Sequence, residues 1–271
     1  MGTSSIFHGP TKSNPLLPSD YNEGQEELQT ILNQEPNNQD ELNKVPVVTW
    51  ATVKSDFSKY IKSKSNNRGG ISLNSVARQY VRASGGTKTI LARAKSGVGS
   101  GNALLGLFNS LVSVGLKQTL NDLQVQFKGK SVSELMSKLI NVVSPNSVTK
   151  EDIVARIATQ DALAQIYAYI ERNEINVNCL EKMPVDLVDM SMCTYLESYI
   201  WGLMLKDLKS RIEIYEMSPD KAEEIEKELR NYIKGKVEVE FNKDKTIFHK
   251  NPTESVAVLM EKCLKAIEGI V

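Results

Sequence analysis

A mainly α, multi-helix bundle with a long extended N-terminal tail is the architecture this sequence predicts. Two observations carry the bundle. Apolar residues recur at helical spacing from Trp50 to Ile267, and helix start and stop signals punctuate that pattern. A third carries the tail. Residues 1–45 place Pro10, Pro15, Pro18 and Pro36 among runs of Asn, Gln, Asp and Glu, with apolar residues only scattered. Such a segment buries too little surface to offset its own ordering entropy.

Thr49 suits the N-cap of a first helix. Its apolar positions are Trp50, Val53, Phe57, Tyr60 and Ile61, and Asn66-Asn67-Arg68-Gly69-Gly70 ends it. A second helix runs from Ser72 to Ala83 with Val76, Tyr80 and Val81 on one face. Ser84-Gly85-Gly86 breaks the chain, and Thr87 opens a short helix. Gly97, Gly99 and Gly101 read as a loop, followed by an apolar helix from Asn102 through Leu116 and a helical stretch to Leu123.

Ser131 to Val143 repeats Val132, Leu135, Met136, Leu139 and Ile140 until Pro145 stops it. Thr149-Lys150-Glu151-Asp152 starts a long helix that ends near Arg172. Another apolar helix covers Met190 to Lys206. Ser218-Pro219-Asp220 combines an N-cap serine, a proline at the first helical position and an acid in the first turn. That helix is expected to end near Gly235. Val237-Glu238-Val239-Glu240-Phe241 then alternates like a strand, which leaves room for one short β-hairpin near 237–248 with Thr246-Ile247-Phe248. Glu254 to Ile267 is the last helix.

The bulk composition narrows the function. Aromatic residues make up 6% of the chain, too few for an aromatic stacking platform for nucleic acid. The three cysteines, Cys179, Cys193 and Cys263, contain no Cys-x-x-Cys, and only His8 and His249 are present. This fits inert thiols in a reducing cytoplasm and excludes a disulfide framework or an imidazole-built metal site. Ser96 to Leu116 carries no charge, but its glycines, serines and asparagines make it a buried segment and not a membrane span. No secretory signal precedes it.

Charge divides the chain. Residues 1–50 carry net −5, residues 51–130 net +11 and residues 131–271 net −6. The organisation expected is a flexible polar tail (1–45), a basic helical region (46–130) and an acidic helical region (131–271), with 46–271 able to share one core. The basic block implies either an anionic partner (nucleic acid, a nucleotide, an acidic protein surface or the chain's own acidic tail) or a solvated face neutralised within the chain. Within it, Arg78, Arg82, Lys88, Arg93 and Lys95 surround two glycine turns. Arg78 and Arg82 lie four apart on one helix, a spacing that suits bidentate contact with phosphate or carboxylate.

Gly97-Val98-Gly99-Ser100-Gly101 lacks the Gly-Lys-Ser/Thr ending of a phosphate loop, and no strand precedes it. Gly-x-Ser-x-Gly and His-Glu-x-x-His are both missing, so an enzyme is not expected. Glu223, Glu224, Glu226 and Glu228 alternate with Lys221, Lys227 and Arg230, which reads as a solvated helix face.

The N-terminus offers a different chemistry. Removal of Met1 would expose Gly2-Thr3-Ser4-Ser5. An α-amine has a pKa of roughly 7.7–8.0, so a sizeable fraction is an uncharged nucleophile at neutral pH. Glycine adds no side chain, so such an amine can enter a narrow channel.

Met1-Gly2-Thr3-Ser4-Ser5, Gly9-Pro10 and Pro15-Leu16-Leu17-Pro18 together resemble the opening of the QatB family of the bacterial Qat anti-phage system. Residues Phe57 to Leu107 resemble it too, through Ala77-Arg78-Gln79-Tyr80-Val81, Ser84-Gly85-Gly86, Ala92-Arg93-Ala94 and Ala103-Leu104-Leu105-Gly106-Leu107-Phe108. The likeness covers residues 1–130, and the C-terminal half only by its helical character. The tail here is richer in Asn, Gln and Glu than the family's usual Gly- and Pro-rich tail.

The resemblance implies an operon with an ATPase, a QueC-like enzyme (QatC) and a TatD-like nuclease. It further implies that Gly2 is the acceptor of a deazaguanine-type group, covalently attached, with Thr3, Ser4, Ser5, Ile6 and Phe7 docking in the partner's channel. No intrinsic cofactor is expected; ATP and zinc belong to the partner. The alternative is a nucleic-acid-binding adaptor that uses residues 51–130 to guide the nuclease. No membrane association is expected on either reading.

Overall fold

The computed structural model describes residues 48–65, 70–126, 131–144, 149–174, 176–215 and 218–270. The tail assigned to 1–45, including Gly2, Thr3, Ser4, Ser5, Ile6 and Phe7, lies outside these residues. Among the described residues there are eleven α-helices, one 3-10 turn and no strand. In chain order the helices are α1 (Trp50–Ser65), α2 (Leu73–Ala83), α3 (Gly86–Arg93), α4 (Lys95–Ser113), α5 (Gly115–Asp122) and α6 (Val132–Val143). They continue with α7 (Lys150–Arg172), the 3-10 turn Val177–Lys182, α8 (Val185–Tyr215), α9 (Pro219–Lys243), α10 (Ile247–Lys250) and α11 (Ser255–Glu268).

The start signals act where the sequence places them. Thr49 Oγ1 accepts from the backbone N–H of Thr52, and Ser72 from that of Ser75. Ser131 and Glu134 form a reciprocal capping box, and so do Thr149 and Asp152. Each satisfies helix-end N–H groups that have no partner inside the helix.

Helix α8 is the axis of the fold. Its 31 residues span about 46 Å and pack against α1, α4, α7 and α9. Buried residues point from it in every direction, among them Leu187, Met192, Tyr195, Leu196, Tyr199 and Ile200. Its middle, Tyr195 to Leu205, is packed on several sides and reads as a largely apolar run broken by Glu197, while charged residues gather toward its two ends. The core is continuous, from Val53 and Phe57 in α1 through Leu104 in α4 to Phe248 in α10 and Ile267 in α11. Residues of the basic and acidic regions thus line the same core.

Two segments depart from the sequence expectations. The stretch expected as a strand or hairpin, 237–248, is helical: α9 continues through Gly235 to Lys243, and Ile247–Lys250 forms α10. The alternation is real, but Val237 alone of its valines is buried, in register with Ile225, Leu229 and Ile233. Tertiary burial at intervals of four and three residues overrides β-propensity. Gly97–Gly101 is not a loop either. It forms the first turns of α4, where a Cβ on Gly97 would lie 2.0 Å from Tyr199 Cζ. On Gly101 it would lie 2.7 Å from Val256 Cγ1 and 2.8 Å from Tyr195 Cε1. The two glycines, four apart, let α4 press its backbone onto the tyrosines of α8.

Candidate functional site

Arg78, Arg82, Lys88, Arg93 and Lys95 all lie exposed around the α2–α3–α4 junction. That junction is built from two turns. Gly85 and Gly86 take positive φ values of 88° and 81°, a region that L side chains resist, and so reverse the chain between α2 and α3. Ala94 then serves both as the C-cap of α3 and as the residue before α4. The three short segments are held by the C-terminal helix. Glu268 of α11 accepts hydrogen bonds from the backbone N–H (3.3 Å) and hydroxyl (2.9 Å) of Thr87 in the first turn of α3.

The structure divides the five cations between different neighbours. Arg78 lies over the end of α11: a Cβ on Gly269 would come within 2.9 Å of its Nε. A guanidinium there faces the negative end of a helix dipole. Arg93 points the other way, into a small cavity of about 20 Å3 that it lines with Tyr80, Glu151, Lys206 and Asp207. That volume suits a single water molecule. Arg82, Lys88 and Lys95 have no ion-pair partner among the described residues.

The cavity is walled by a polar chain. Lys206 Nζ donates to Glu151 Oε1 at 2.6 Å and lies 3.9 Å from Asp207. The Tyr80 hydroxyl donates to Asp207 Oδ2 at 3.0 Å. The Lys206 hydrogen bond holds the Glu151 carboxyl below its ordinary value, while burial, with Asp207 beside it, pushes the Tyr80 phenol well up. These groups tie α2, α7 and α8 together; a charge already paired in this way is not offered to a ligand.

Sequence reasoning missed a second polar cluster. Arg230, assigned to a solvated face of α9, turns inward. Its Nε donates to Glu197 Oε1 and its Nη2 to Asp161 Oδ2, both at 2.8 Å, and its guanidinium sits 5.1 Å from the centre of the Trp201 ring. Ser198 Oγ also donates to Asp161 Oδ2, at 2.7 Å. Partial burial opposes the charge on Arg230, but the Glu197 and Asp161 carboxylates more than restore it. The available signal was Glu197 itself, a lone acid in the apolar run Tyr195-Leu196-Glu197-Ser198-Tyr199-Ile200-Trp201. Glu228 of the same expected solvated face accepts from both Tyr60 and Lys64 of α1.

Among the described residues no cluster of His, Cys, Asp and Glu could hold a metal ion, and no helix is long and apolar enough to cross a membrane. Neither a comparison with curated proteins nor one with solved structures returned a match. A family model does match, over residues 85–267; its description is Qat anti-phage system associated protein QatB. The match runs from the Gly85 turn into α11, so it covers the C-terminal half and leaves out residues 1–84 and 268–271, a different reach from the likeness read in the opening motifs. The match takes in the packed glycines of α4, the α8 axis, the Arg230 cluster and the helix that carries Glu268, and over that span the chain belongs to the QatB family of Qat anti-phage proteins.

Proposed function

We propose that this protein is a non-enzymatic subunit of the bacterial Qat defence system that binds a QueC-like enzyme and presents Gly2, after removal of Met1, for modification. The observation that carries the reading is the Met1-Gly2-Thr3-Ser4-Ser5 start on a chain of the QatB family. The Gly2 amine would attack the carboxyl of a deazaguanine that the partner has activated with ATP. An amide bond forms, the activating group leaves, and the amine loses a proton. Thr3, Ser4, Ser5, Ile6 and Phe7 would occupy the approach to the partner's site. The polar clusters of the body bind helices to one another, which fits a carrier.

Intact-mass spectrometry tests this. The protein is expressed with and without its operon neighbours. A gain of one deazaguanine-sized group on the Gly2 peptide, present only with the QueC-like enzyme and lost in Gly2→Glu, supports the reading. An unmodified chain under both conditions overturns it.

A second reading has one observation in its favour: Arg82, Lys88 and Lys95 are exposed and unpaired among the described residues. They could grip phosphates and guide a partner nuclease. Retention on DNA should then weaken steeply as salt rises. Unchanged retention when Arg82 and Lys88 are replaced by Ala would reject it.

A further inference from the structure

Helix α7 buries one side against α4, α6 and α8 and turns the other to solvent. On that outer side Ile153, Ile157, Gln160, Ala164 and Ala168 follow one another at spacings of three or four residues, a single stripe of the helix. Ile153 is 48% exposed and Ile157 44%, two large β-branched side chains one turn apart. Ala164 is exposed and Ala168 half-buried. Apolar residues scattered singly over a surface are ordinary, whereas a contiguous row of them marks a contact.

The charges that flank the stripe are already committed to this chain. On one edge Arg156 donates to the Ser144 carbonyl and to Asn141 Oδ1, both at 2.6 Å. On the other edge Asp161 accepts from Arg230 and Ser198. From Ile153 to Ala168 the stripe itself is neutral over about 22 Å. Its two ends are charged: Lys150 opens α7 and Glu171 lies in its last turn. Both are exposed, and neither has an ion-pair partner among the described residues. Each stands at the end of the helix where the dipole disfavours its charge, so neither is placed there for the sake of α7 alone.

A stripe of this kind complements itself. Its N-terminal half is large and ends in a cation; its C-terminal half is small and ends in an anion. Two copies of α7 laid antiparallel, with a two-fold axis between Gln160 and Asp161, bring Ile157 beside Ala164 of the second copy. The same register brings Ile153 beside Ala168 and Lys150 beside Glu171 of the second copy. Large side chains then meet small ones and opposite charges meet. A parallel pair would stack isoleucine on isoleucine and lysine on lysine.

We propose that the outer face of α7 is a homodimer interface, an antiparallel pair of α7 helices with Ile153 and Ile157 seated on Ala168 and Ala164 and closed at each end by Lys150 and Glu171. The proposal does not depend on Gly2 being modified. One helix per copy makes a contact at the small end of specific interfaces, so association should be reversible and concentration-dependent.

Sedimentation velocity of the full chain, from about 1 to 200 μM, tests it. The sedimenting species should shift from one chain toward twice that mass as concentration rises. Ile157→Glu places a charge at an exposed position near the two-fold axis and should weaken association about tenfold or more. Lys150→Glu alone and Glu171→Lys alone each reverse two symmetry-related pairs and should weaken it about threefold or more. The two together exchange the signs and should restore association close to wild type. Both changes suit the dipole of α7, so loss in a single variant is not loss of the helix. Equal melting temperatures for wild type and the Lys150 and Glu171 variants, measured where all are monomeric, check this.

A monomer at every concentration overturns the proposal. So does a dimer indifferent to Ile157→Glu, since the contact would then lie elsewhere on the chain. Loss in the single charge variants that the paired exchange does not restore overturns the antiparallel register, and the proposal with it.

Discussion

Glu268 caps helix α3 from the far end of the chain. Its Oε2 accepts both the N–H and the hydroxyl of Thr87, 181 residues earlier in sequence. The cap position of α3 is Gly85, which has no side chain to offer. The turn needs glycine for its positive φ, so the usual serine, threonine or aspartate cap is ruled out. The carboxylate from α11 takes over that role.

Replacing Glu268 by Ala should therefore cost about 1–2 kcal/mol in urea denaturation, the range for a lost cap that leaves a buried donor unsatisfied. Glu268→Gln keeps an acceptor and should cost less. Equal losses for the two variants would show that packing, not the hydrogen bonds, dominates.

The four α4 glycines should divide sharply. Gly97→Ala and Gly101→Ala drive a methyl group into Tyr199 and into Tyr195 with Val256, and each should cost at least about 1–3 kcal/mol. Gly99 and Gly106 have nothing within 4 Å of an added Cβ. Alanine there should stabilise the helix by roughly 0.5–1 kcal/mol. Thermal unfolding of the four variants side by side checks the contrast.

Arg230 and Glu197 should be coupled. A double-mutant cycle with Arg230→Met and Glu197→Gln is expected to return about 1 kcal/mol. The value is modest because about a third of the Arg230 side chain faces solvent, which screens the pair. Additive losses would mean that the two residues act independently.

Stability should fall on the alkaline side. Burial, followed by the charge of Glu240, pushes the Cys263 thiol from 9.0 up to about 12, and burial pushes the Tyr199 phenol from 10.0 up to about 12. Between these limits the unfolded chain has released protons that the folded chain still holds. The unfolded state then binds fewer protons, so the unfolding free energy decreases as pH rises. Urea midpoints should be insensitive to these groups below pH 9 and drop progressively from about 9 to 12. Cys263→Ala should flatten the thiol part of that slope.

Arg78 and Arg82 should separate although they share one helix. Arg78→Ala removes a cation from the end of α11 and should lower stability by about 0.5 kcal/mol. Arg82→Ala, exposed and unpaired, should be neutral to stability. Any change in retention on DNA should follow Arg82, and salt titration of both variants measures it.

Much of the helix plan was legible because capping and periodicity are local. Ser72, Ser131 and Thr149 cap helix starts through their side chains, and Ser218 and Pro219 stand at the N-cap and first position of α9. What failed was non-local. Gly97 and Gly101 look like a loop until Tyr195 and Tyr199 are placed against them. Val237 to Phe241 alternate like a strand until one side of α9 is buried. Arg78, Arg82, Lys88, Arg93 and Lys95 were found by charge and by their place around two glycine turns. Their division between the end of α11, a small polar cavity and open solvent depended on how α2 and α3 turn.

By itself the sequence determined the helical class, the helix starts marked by local caps, the charge division and the family likeness carried by its small-residue motifs. These depend on composition and on contacts within one or two turns. Only the tertiary structure decided that Glu268 caps α3, that Arg230 turns inward to Glu197 and Asp161, and that α8 and α9 leave a groove between them. Such pairings join residues tens to hundreds of positions apart. They are set by which buried faces meet, and no local pattern of side chains records that.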